Sequence, residues 1–138
     1  MPDRPVIDQF NVVSADVEAS VAFYRLLGVD IEDTDPEWAA RHRSGTTEGA
    51  DLDIDSEEFA RQWDPGWRGG MGVLGFKVPT REAVDERYAT LTGARYRSQA
   101  APHDAFWGAR YAIVEDPDGN AVGIMSPVDP DLRSAPPT

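Results

Sequence analysis

The chain repeats one pattern of residues, and this repeat restricts the possible folds more than any other feature of the sequence. Each copy has an apolar strand-like segment, a helix with a capping residue at its start, and a glycine near the helix end. Three positions recur at a constant spacing of 64: Asp16, Tyr24 and Leu27 are matched by Thr80, Tyr88 and Leu91. One copy alone cannot bury its sheet face, so two βαβββ modules must pack on each other or on a partner chain.

The first copy begins with a strand over residues 6–13, which are rich in Val, Ile and Phe. Asp16 is a good N-cap for a helix that extends to about Leu27, and Gly28 is suited to end it. Residues 50–55 alternate strictly between apolar residues and aspartates, which predicts a half-buried strand. Its acidic positions, Asp51, Asp53 and Asp55, are expected on the solvated side. Ser56 then caps a short helix over residues 57–63.

The second copy follows a broken segment at residues 64–66 and a glycine-rich entry at residues 69–72. A strand is predicted over residues 72–78, and Thr80 caps a helix with an apolar stripe of Val84, Tyr88 and Leu91 that ends at Gly93. Strands over residues 111–115 and 121–125 are joined by Asp116-Pro117-Asp118-Gly119-Asn120, whose Pro and Gly suit a tight turn.

The sequence predicts one domain over residues 1–138, with module 1 at about 5–67, module 2 at about 70–127 and a loose tail at 128–138. Hydrophobic residues make up 41% of the chain, enough for a core. No apolar run is long enough to span a bilayer and no signal peptide is visible, so a cytoplasmic protein is expected. The absence of cysteine excludes disulfides and thiolate metal sites.

The net charge is −12, so phosphate backbones and anionic membrane surfaces are repelled and nucleic acid is not an expected partner. A cationic small molecule would be attracted, although such acidity can also serve solubility alone.

Two segments resemble known sequences. Asp16 to Tyr24, followed by Leu27-Gly28, resembles the first helix of the vicinal oxygen chelate superfamily, which includes glyoxalases, bleomycin resistance proteins and extradiol dioxygenases. The stretch from Tyr111 to Asn120 resembles the penultimate hairpin of the same superfamily. The resemblance covers roughly residues 6 to 127. It implies an α+β fold in which paired βαβββ modules form curled mixed sheets around a cavity, but it does not imply one reaction.

Enzymes of this superfamily hold a divalent cation with His, Glu or Gln side chains from both modules. The matching positions here are Gln9, Val73, Gly123 and one of Asp51, Asp53 and Asp55. Val73 and Gly123 cannot ligate, and a catalytic divalent site needs about three protein ligands. We therefore expect no metal and no cofactor.

The chain has two histidines, His42 and His103. A Ser-His-Asp site would need one of them beside a hydroxyl, and the Gly-x-Ser-x-Gly motif is absent. His42 is expected on a strand surface. His103 is either a ligand contact or general base, or an ordinary loop residue.

The aromatic residues point more clearly to a ligand. Four tryptophans occur in 138 residues, several near predicted loops or element ends, and aromatic walls with a few polar groups suit a small-molecule cavity. They can equally fill a core or a dimer interface. The predicted ligand-binding residues are Gln9, Asn11, Trp38, Asp53, Trp67, His103, Phe106, Trp107 and Arg110.

The sequence therefore favours a metal-independent protein that binds and sequesters an aromatic or cationic compound such as an antibiotic. The alternative is a glyoxalase-like lyase, isomerase or dioxygenase with a degenerate or displaced metal site. A third reading is a subunit without any ligand. A homodimer is expected in each case, because exposed sheet edges need covering.

Overall fold

The computed structural model describes residues 4–27, 29–115 and 119–137. The chain divides into two compact units. The N-terminal unit is Asp8–Val73, and the C-terminal unit is Leu74–Thr138 together with Met1–Ile7. Two sequence predictions, the helix stop at Gly28 and the turn residues Asp116-Pro117-Asp118, lie outside the described residues.

The N-terminal unit contains a four-stranded mixed sheet. Its elements are β1 (Val6–Ser14), α1 (Val17–Leu27), β2 (Asp30–Ile31), α2 (Pro36–Ala39), β3 (His42–Thr46), β4 (Asp51–Ser56) and α3 (Glu57–Trp63). The strand order is β2-β3-β4-β1. β1 and β4 are parallel, whereas the pairs β2–β3 and β3–β4 are antiparallel.

The C-terminal unit repeats this plan. Its elements are β5 (Leu74–Lys77), α4 (Arg81–Gly93), β6 (Ser98–Asp104), β7 (Arg110–Glu115), β8 (Ala121–Met125) and a 3₁₀ turn at Pro130–Leu132. The order is β5-β8-β7-β6, again with the first strand parallel to the last. Each unit thus has a strand, a helix and three further strands, which confirms the predicted α+β fold built from duplicated βαβββ modules.

In each unit the helix covers one face of the sheet. Val17 and Val21 of α1 form a buried cluster with Ile31 and Ile54. In the C-terminal unit, the buried cluster comprises Val78, Ala83, Val84, Ala112, Val114 and Ile124, with Tyr88 and Leu91 packed against it. Because side chains alternate along a strand, the neighbouring residues of β4 and β7 lie on the opposite face.

Three predicted helix caps are confirmed. Asp16 Oδ1 accepts a hydrogen bond from Ala19 N over 3.1 Å. Ser56 Oγ accepts from Phe59 N over 3.1 Å, and Thr80 Oγ1 accepts from Ala83 N over 3.0 Å. Each bond satisfies a donor of the first helical turn that has no partner within the helix.

Other predictions differ from the structure in position. β5 begins at Leu74 rather than at residue 72, and α4 includes Gly93 and is capped by Ala94. The left-handed residue after α4 is Arg95, with φ of 75°. The elements β2, α2 and β6 were not identified from the sequence, because their short or polar segments lack a clear apolar period. Strand β3 was anticipated only through the expectation that His42 lies on a strand surface.

The segment after Val128, expected to be a loose tail, contacts the turn between β6 and β7. Asp129 N donates to Gly108 O over 2.9 Å, and Ser134 N donates to Phe106 O over 2.8 Å. Gly108 has a positive φ of 98°, and a Cβ there would collide with the carbonyl oxygen of Asp129. The close approach of the two segments therefore requires glycine at this position. None of the helices in the described ranges is long and apolar enough to cross a bilayer.

Candidate functional site

The sheet face of the N-terminal unit opposite α1 carries polar side chains, and we call it the polar face. Strand register defines its members: Gln9 and Asn11 of β1, His42 and Ser44 of β3, and Asp51, Asp53 and Asp55 of β4. Paired residues of neighbouring strands share a face. The predicted ligand residues Gln9, Asn11 and Asp53 therefore lie on one surface.

Asp55 is the centre of a buried hydrogen-bond network on the polar face. Only 1% of this residue is exposed. Its Oδ2 accepts from Asn11 Nδ2 over 2.7 Å and from Trp63 Nε1 over 3.0 Å, and its Oδ1 contacts His42 Nδ1. The prediction that this aspartate is solvated is therefore wrong, because three donors compensate the cost of burying the carboxylate.

His42 is fixed by its neighbours. Trp38 and Phe59 contact the imidazole, with ring centroids 6.1 and 5.9 Å away. Its Nε2 lies 3.1 Å from Ser44 Oγ. The arrangement that the sequence did not reveal, a histidine between an aspartate and a serine hydroxyl, is thus present here.

Asp53 lies between Asn11 on β1 and Ser44 on β3. Burial raises the pKa of the Asp53 carboxyl to about 6, and the negative charges of Asp55 and Asp51 act in the same direction. The charge of His42 and a hydrogen bond with Ser44 oppose this rise. The group therefore titrates closer to neutrality than an ordinary aspartate.

Asn11 is 7% exposed and serves the packing of the unit. Its backbone forms two bonds, from Asn11 N to Val73 O over 2.8 Å and from Gly72 N to Asn11 O over 3.1 Å. A Cβ at Gly72 would collide with Asn11 Oδ1. Asn11 therefore positions Asp55 from within the structure, and a direct ligand contact remains a prediction.

In the C-terminal unit, the sheet face opposite α4 carries an aromatic cluster, which we call the aromatic face. It consists of His103, Phe106, Trp107 and Tyr111, together with Met125. The Trp107 ring lies 5.1 Å from both Phe106 and Tyr111, in edge-to-face arrangements. His103 lies 6.0 Å from Tyr111, and Trp107 Nε1 donates to Met125 Sδ over 3.2 Å. The structure therefore brings three of the predicted ligand residues together.

His103 belongs to strand β6 and not to a loop, and its Nδ1 lies 2.9 Å from Ala101 O. Strand register pairs it with Tyr111, and Tyr111 with Met125. The turn Ala105 to Ala109 then folds Phe106 and Trp107 back beside these strands, closed by a bond from Ala105 N to Ala109 O of 2.8 Å. His103 and Trp107 are both partly exposed.

Arg110 forms ion pairs on the α4 side of the same sheet, opposite the aromatic face. Its guanidinium bonds to Asp85 of α4 at 3.1 Å and to Asp104 at 3.2 Å. Hydrogen bonds from Arg81 and then from Arg110 lower the pKa of Asp104. The structure therefore does not bring Arg110 to the aromatic cluster, and its predicted ligand contact is not supported by this geometry.

The two remaining predicted residues lie elsewhere in the N-terminal unit. Trp38 contacts Phe59, with ring centroids 5.8 Å apart, and these two rings are the ones that contact the His42 imidazole. Trp67 is covered by the Arg61 guanidinium at 5.0 Å, a cation–π contact. Its Nε1 is buried and has no hydrogen-bond partner among the described residues.

A cleft of about 440 Å³ lies in the N-terminal unit between the end of β1, the turn before β3, and α3. Its lining includes Ser14, Arg41, Glu57, Phe59 and Arg61, but none of the predicted ligand-binding residues. Phe59 contacts both this cleft and the His42 ring. The cleft therefore lies next to the polar network.

With this geometry described, comparison with known proteins establishes the family. The model of the glyoxalase/bleomycin resistance protein/dioxygenase superfamily matches residues 6–124. The chain belongs to this superfamily. No curated protein matches the sequence.

Solved structures share the fold of this superfamily member at low identity. An NAD-dependent benzaldehyde dehydrogenase from Legionella pneumophila is 18% identical, over 86% of this chain and 96% of that chain, with a TM-score of 0.68. The Mn(II)-bound glyoxalase from Novosphingobium aromaticivorans is 16% identical, over 91% of this chain and 40% of that longer one, with a TM-score of 0.65. Methylmalonyl-CoA epimerase from Mycobacterium tuberculosis is 16% identical, over 89% and 88%, with a TM-score of 0.61. At these identities the similarity shows a common fold and not a common activity.

The donor set of this chain does not fit the divalent site of superfamily enzymes. Val73 is buried and offers only hydrocarbon, and Gly123 has no side chain. Asp55 is already bonded to three donors. Among the residues that the structure describes, no group of three or more His, Asp or Glu side chains is arranged to hold a metal ion.

Sequence reasoning missed Ser44, Phe59, Trp63, Tyr111 and Met125. The alternation of His42 and Ser44 could have indicated a strand face, but the segment Arg-His-Arg-Ser-Gly-Thr contains no apolar residue to mark a strand. Tyr111 and Met125 were placed in strands correctly, and only their pairing in space shows that they meet Trp107.

Proposed function

We propose that this chain is a small-molecule-binding member of the superfamily that holds an aromatic, positively charged compound without a metal ion. One observation carries the proposal: three aromatic rings and His103 meet on the sheet face that α4 leaves uncovered. Phe106 and Trp107 are both only partly buried, so their surfaces remain accessible.

The chemistry of these groups favours a planar ligand. Aromatic side chains bury a large area and lose little side-chain entropy, and their ring faces attract cations. The Met125 thioether beside Trp107 is polarisable and adapts its shape to a neighbouring ring. The edge-to-face packing of Trp107 on Tyr111 and Phe106 restricts its indole before a ligand arrives, which lowers the entropy cost of binding.

Charge supports a cationic ligand. The net charge of −12 produces a negative potential that raises the local concentration of cations and their association rate. This attraction weakens with salt, because the screening length is about 8 Å at physiological ionic strength. A cationic aromatic compound should therefore bind faster at low salt, whereas a neutral analogue should show little salt dependence.

The identities of Val73 and Gly123 favour binding over metal-dependent chemistry. A lyase, isomerase or dioxygenase of the superfamily type would need donors at these positions. The proposed ligand is instead retained by the aromatic face, and sequestration of a toxic aromatic compound is one use of such binding. A homodimer in the cytoplasm is part of the proposal, and light scattering would test it through a mass of about twice 15.2 kDa.

The proposal is tested by a screen of aromatic cations and neutral analogues, followed by quenching of tryptophan fluorescence. Protein treated with chelator is used, so that binding cannot depend on a metal. Trp107→Phe should change the quenching amplitude and weaken binding, whereas Trp67→Phe, a tryptophan under Arg61 and outside the aromatic face, should leave the affinity unchanged. Binding only after addition of a divalent metal would contradict the proposal.

A further inference from the structure

The geometry points to a second activity in the N-terminal unit: we propose that Ser44 is a nucleophile toward small carboxylic esters, activated by His42 and oriented by Asp55. The three side chains form a continuous relay. Asp55 Oδ1 contacts His42 Nδ1, and His42 Nε2 lies 3.1 Å from Ser44 Oγ. This activity goes beyond ligand binding and uses residues of the N-terminal unit.

The order of the groups is the one that nucleophilic catalysis by serine requires. An aspartate carboxylate only accepts hydrogen bonds, so His42 donates its Nδ1 proton to Asp55. This bond fixes the tautomer whose Nε2 carries no proton and can accept one. The Ser44 hydroxyl is within reach of that nitrogen, as a nucleophile must be of its general base.

The base is held in a fixed orientation. Trp38 and Phe59 contact the imidazole from within the same unit. Asp55 is itself anchored by Asn11 and Trp63 through bonds of 2.7 and 3.0 Å. The relay therefore has the supporting contacts that restrict a catalytic base to a productive geometry.

Access to the nucleophile is open. Ser44 is exposed, and 29% of the His42 side chain is accessible. Their i, i+2 spacing on β3 places both side chains on the polar face, where Ser44 is the more exposed of the two residues.

The reaction balances without any co-reactant other than water. Ser44 Oγ forms a bond to the acyl carbon as its proton passes to His42 Nε2. The carbon–oxygen bond to the leaving group then breaks, and the departing alkoxide takes the proton from His42. Water, deprotonated by the same nitrogen, then attacks the acyl carbon. The bond from that carbon to Ser44 Oγ breaks, Ser44 takes the proton back from His42, and a carboxylic acid is released.

The acidic residues around Ser44 determine which esters are favoured by charge. Asp51 and Asp53 share the polar face with Ser44, and both are carboxylates close to where the ester binds. Neutral and cationic esters are therefore the favoured class, and esters with a free carboxylate are repelled. Asp53 also accepts a hydrogen bond from Ser44, so the hydroxyl proton must turn from Asp53 to His42 Nε2 when the ester binds.

The experiment uses the full chain and a fluorophosphonate probe, which forms a covalent bond with activated serines, followed by peptide mass spectrometry. Labelling is expected at Ser44 at least about tenfold faster than at Ser98, because a general base contributes on the order of 10²-fold or more. Ser98 is the matched control, because it is also an exposed serine on a strand. Its Oγ accepts a hydrogen bond from the Tyr88 hydroxyl and forms none with a histidine among the described residues. Labelling of Ser44 no faster than Ser98 would overturn the proposal.

Two further measurements separate activation from simple exposure. His42→Gln should lower Ser44 labelling at least about tenfold. If that variant does not fold, Asp53→Asn replaces it. Removing the carboxylate that competes with His42 for the Ser44 proton should leave the labelling of Ser44 unchanged or faster, and a loss of at least about tenfold would assign the base to Asp53 and contradict the mechanism. Methyl 4-acetoxybenzoate should lose its acetyl group faster than 4-acetoxybenzoate, which carries a free carboxylate, and Ser44→Ala should abolish this difference.

The outcome is independent of the proposed binding function. Trp107 makes its ring contacts within the C-terminal unit, whereas the relay consists of residues of the N-terminal unit. Labelling of Ser44 without ligand binding, or ligand binding without labelling, would show which of the two assignments fails.

Discussion

Asn11 donates its side-chain amide to the buried carboxylate of Asp55 over 2.7 Å. This bond connects β1 with β4, the first and last strands of the N-terminal βαβββ module. Because Trp63 and His42 use the same carboxylate, α3 and β3 are joined to it as well. One acidic side chain therefore connects four elements of the unit.

Replacing Asp55 should be costly. Asp55→Ala leaves the buried donors of Asn11 and Trp63 without a partner, and each such donor costs about 1–3 kcal/mol. We expect the free energy of unfolding to fall by about 3 kcal/mol or more in urea titrations. Asp33→Ala is the control: its side chain is 96% exposed and pairs with Arg25, so a loss of at most about 1 kcal/mol is expected. Equal losses in the two variants would contradict the network.

Asp53 makes stability depend on pH. Its pKa is about 6 in the folded chain, against about 3.9 for an unfolded aspartate. Between these values the folded state binds more protons, so the free energy of unfolding contributed by Asp53 falls as the pH rises from about 4 to about 6. Asp53→Asn removes this loss. From pH 4 to pH 8, the free energy of unfolding of the variant should therefore rise by on the order of 2 kcal/mol relative to that of wild type.

Urea unfolding at several pH values measures this difference. Glu48→Gln, an exposed acid in the loop before β4, serves as the control for removal of one negative charge. If Asp53→Asn shows the same pH profile as Glu48→Gln, burial does not perturb Asp53.

The two threonines of α4 separate capping from helix propensity. Thr80 Oγ1 accepts from Ala83 N at the start of the helix, whereas Thr90 Oγ1 donates to Glu86 O within it. Thr80→Ala should lower the free energy of unfolding by about 1 kcal/mol, because a backbone donor loses its partner. Thr90→Ala should be neutral or slightly stabilising, because alanine favours the helix. Thermal denaturation of both variants measures these effects. A larger loss of stability in Thr90→Ala than in Thr80→Ala would contradict the role of Thr80 as the helix cap.

Alanine substitutions at Gly108 and at Gly93 should change the stability of the chain in opposite directions. Gly108→Ala places a Cβ at a positive φ and against the Asp129 carbonyl, so it should destabilise the chain by about 1–3 kcal/mol. Gly93→Ala meets no atom within 4 Å at the end of α4 and should stabilise by about 0.4–1 kcal/mol. Proteolysis should also release the segment after Val128 more readily in Gly108→Ala. Intact protection there would show that the tail does not depend on this turn.

The repeat and the helix caps could be predicted from sequence because they rest on local chemistry. Ser56 and Thr80 act within three residues of themselves, and the stripe of Val84, Tyr88 and Leu91 follows one helix face. The aromatic cluster was predicted in part, since His103, Phe106 and Trp107 were among the expected ligand residues.

The polar network could not be predicted in the same way. Asp55 alternates with apolar residues as a solvated aspartate would, and its partners lie 44, 13 and 8 positions away along the chain. β3 carries the decisive His42 and Ser44 but has no apolar period. Arg110 was expected to supply a polar ligand contact, yet the alternation of side chains along β7 places it on the other face of the sheet, where it pairs with Asp85.

The central claim is that the aromatic face binds an aromatic cation without metal, and isothermal titration calorimetry on chelator-treated protein tests it most directly. The best compound from the fluorescence screen is titrated into wild type and Trp107→Ala. We predict stoichiometric binding to wild type and a loss of about 1–3 kcal/mol, roughly tenfold to a hundredfold in Kd, in the variant. Circular dichroism would establish that the variant is folded. Equal affinity in a folded Trp107→Ala, or no binding until a divalent metal is restored, would contradict the account.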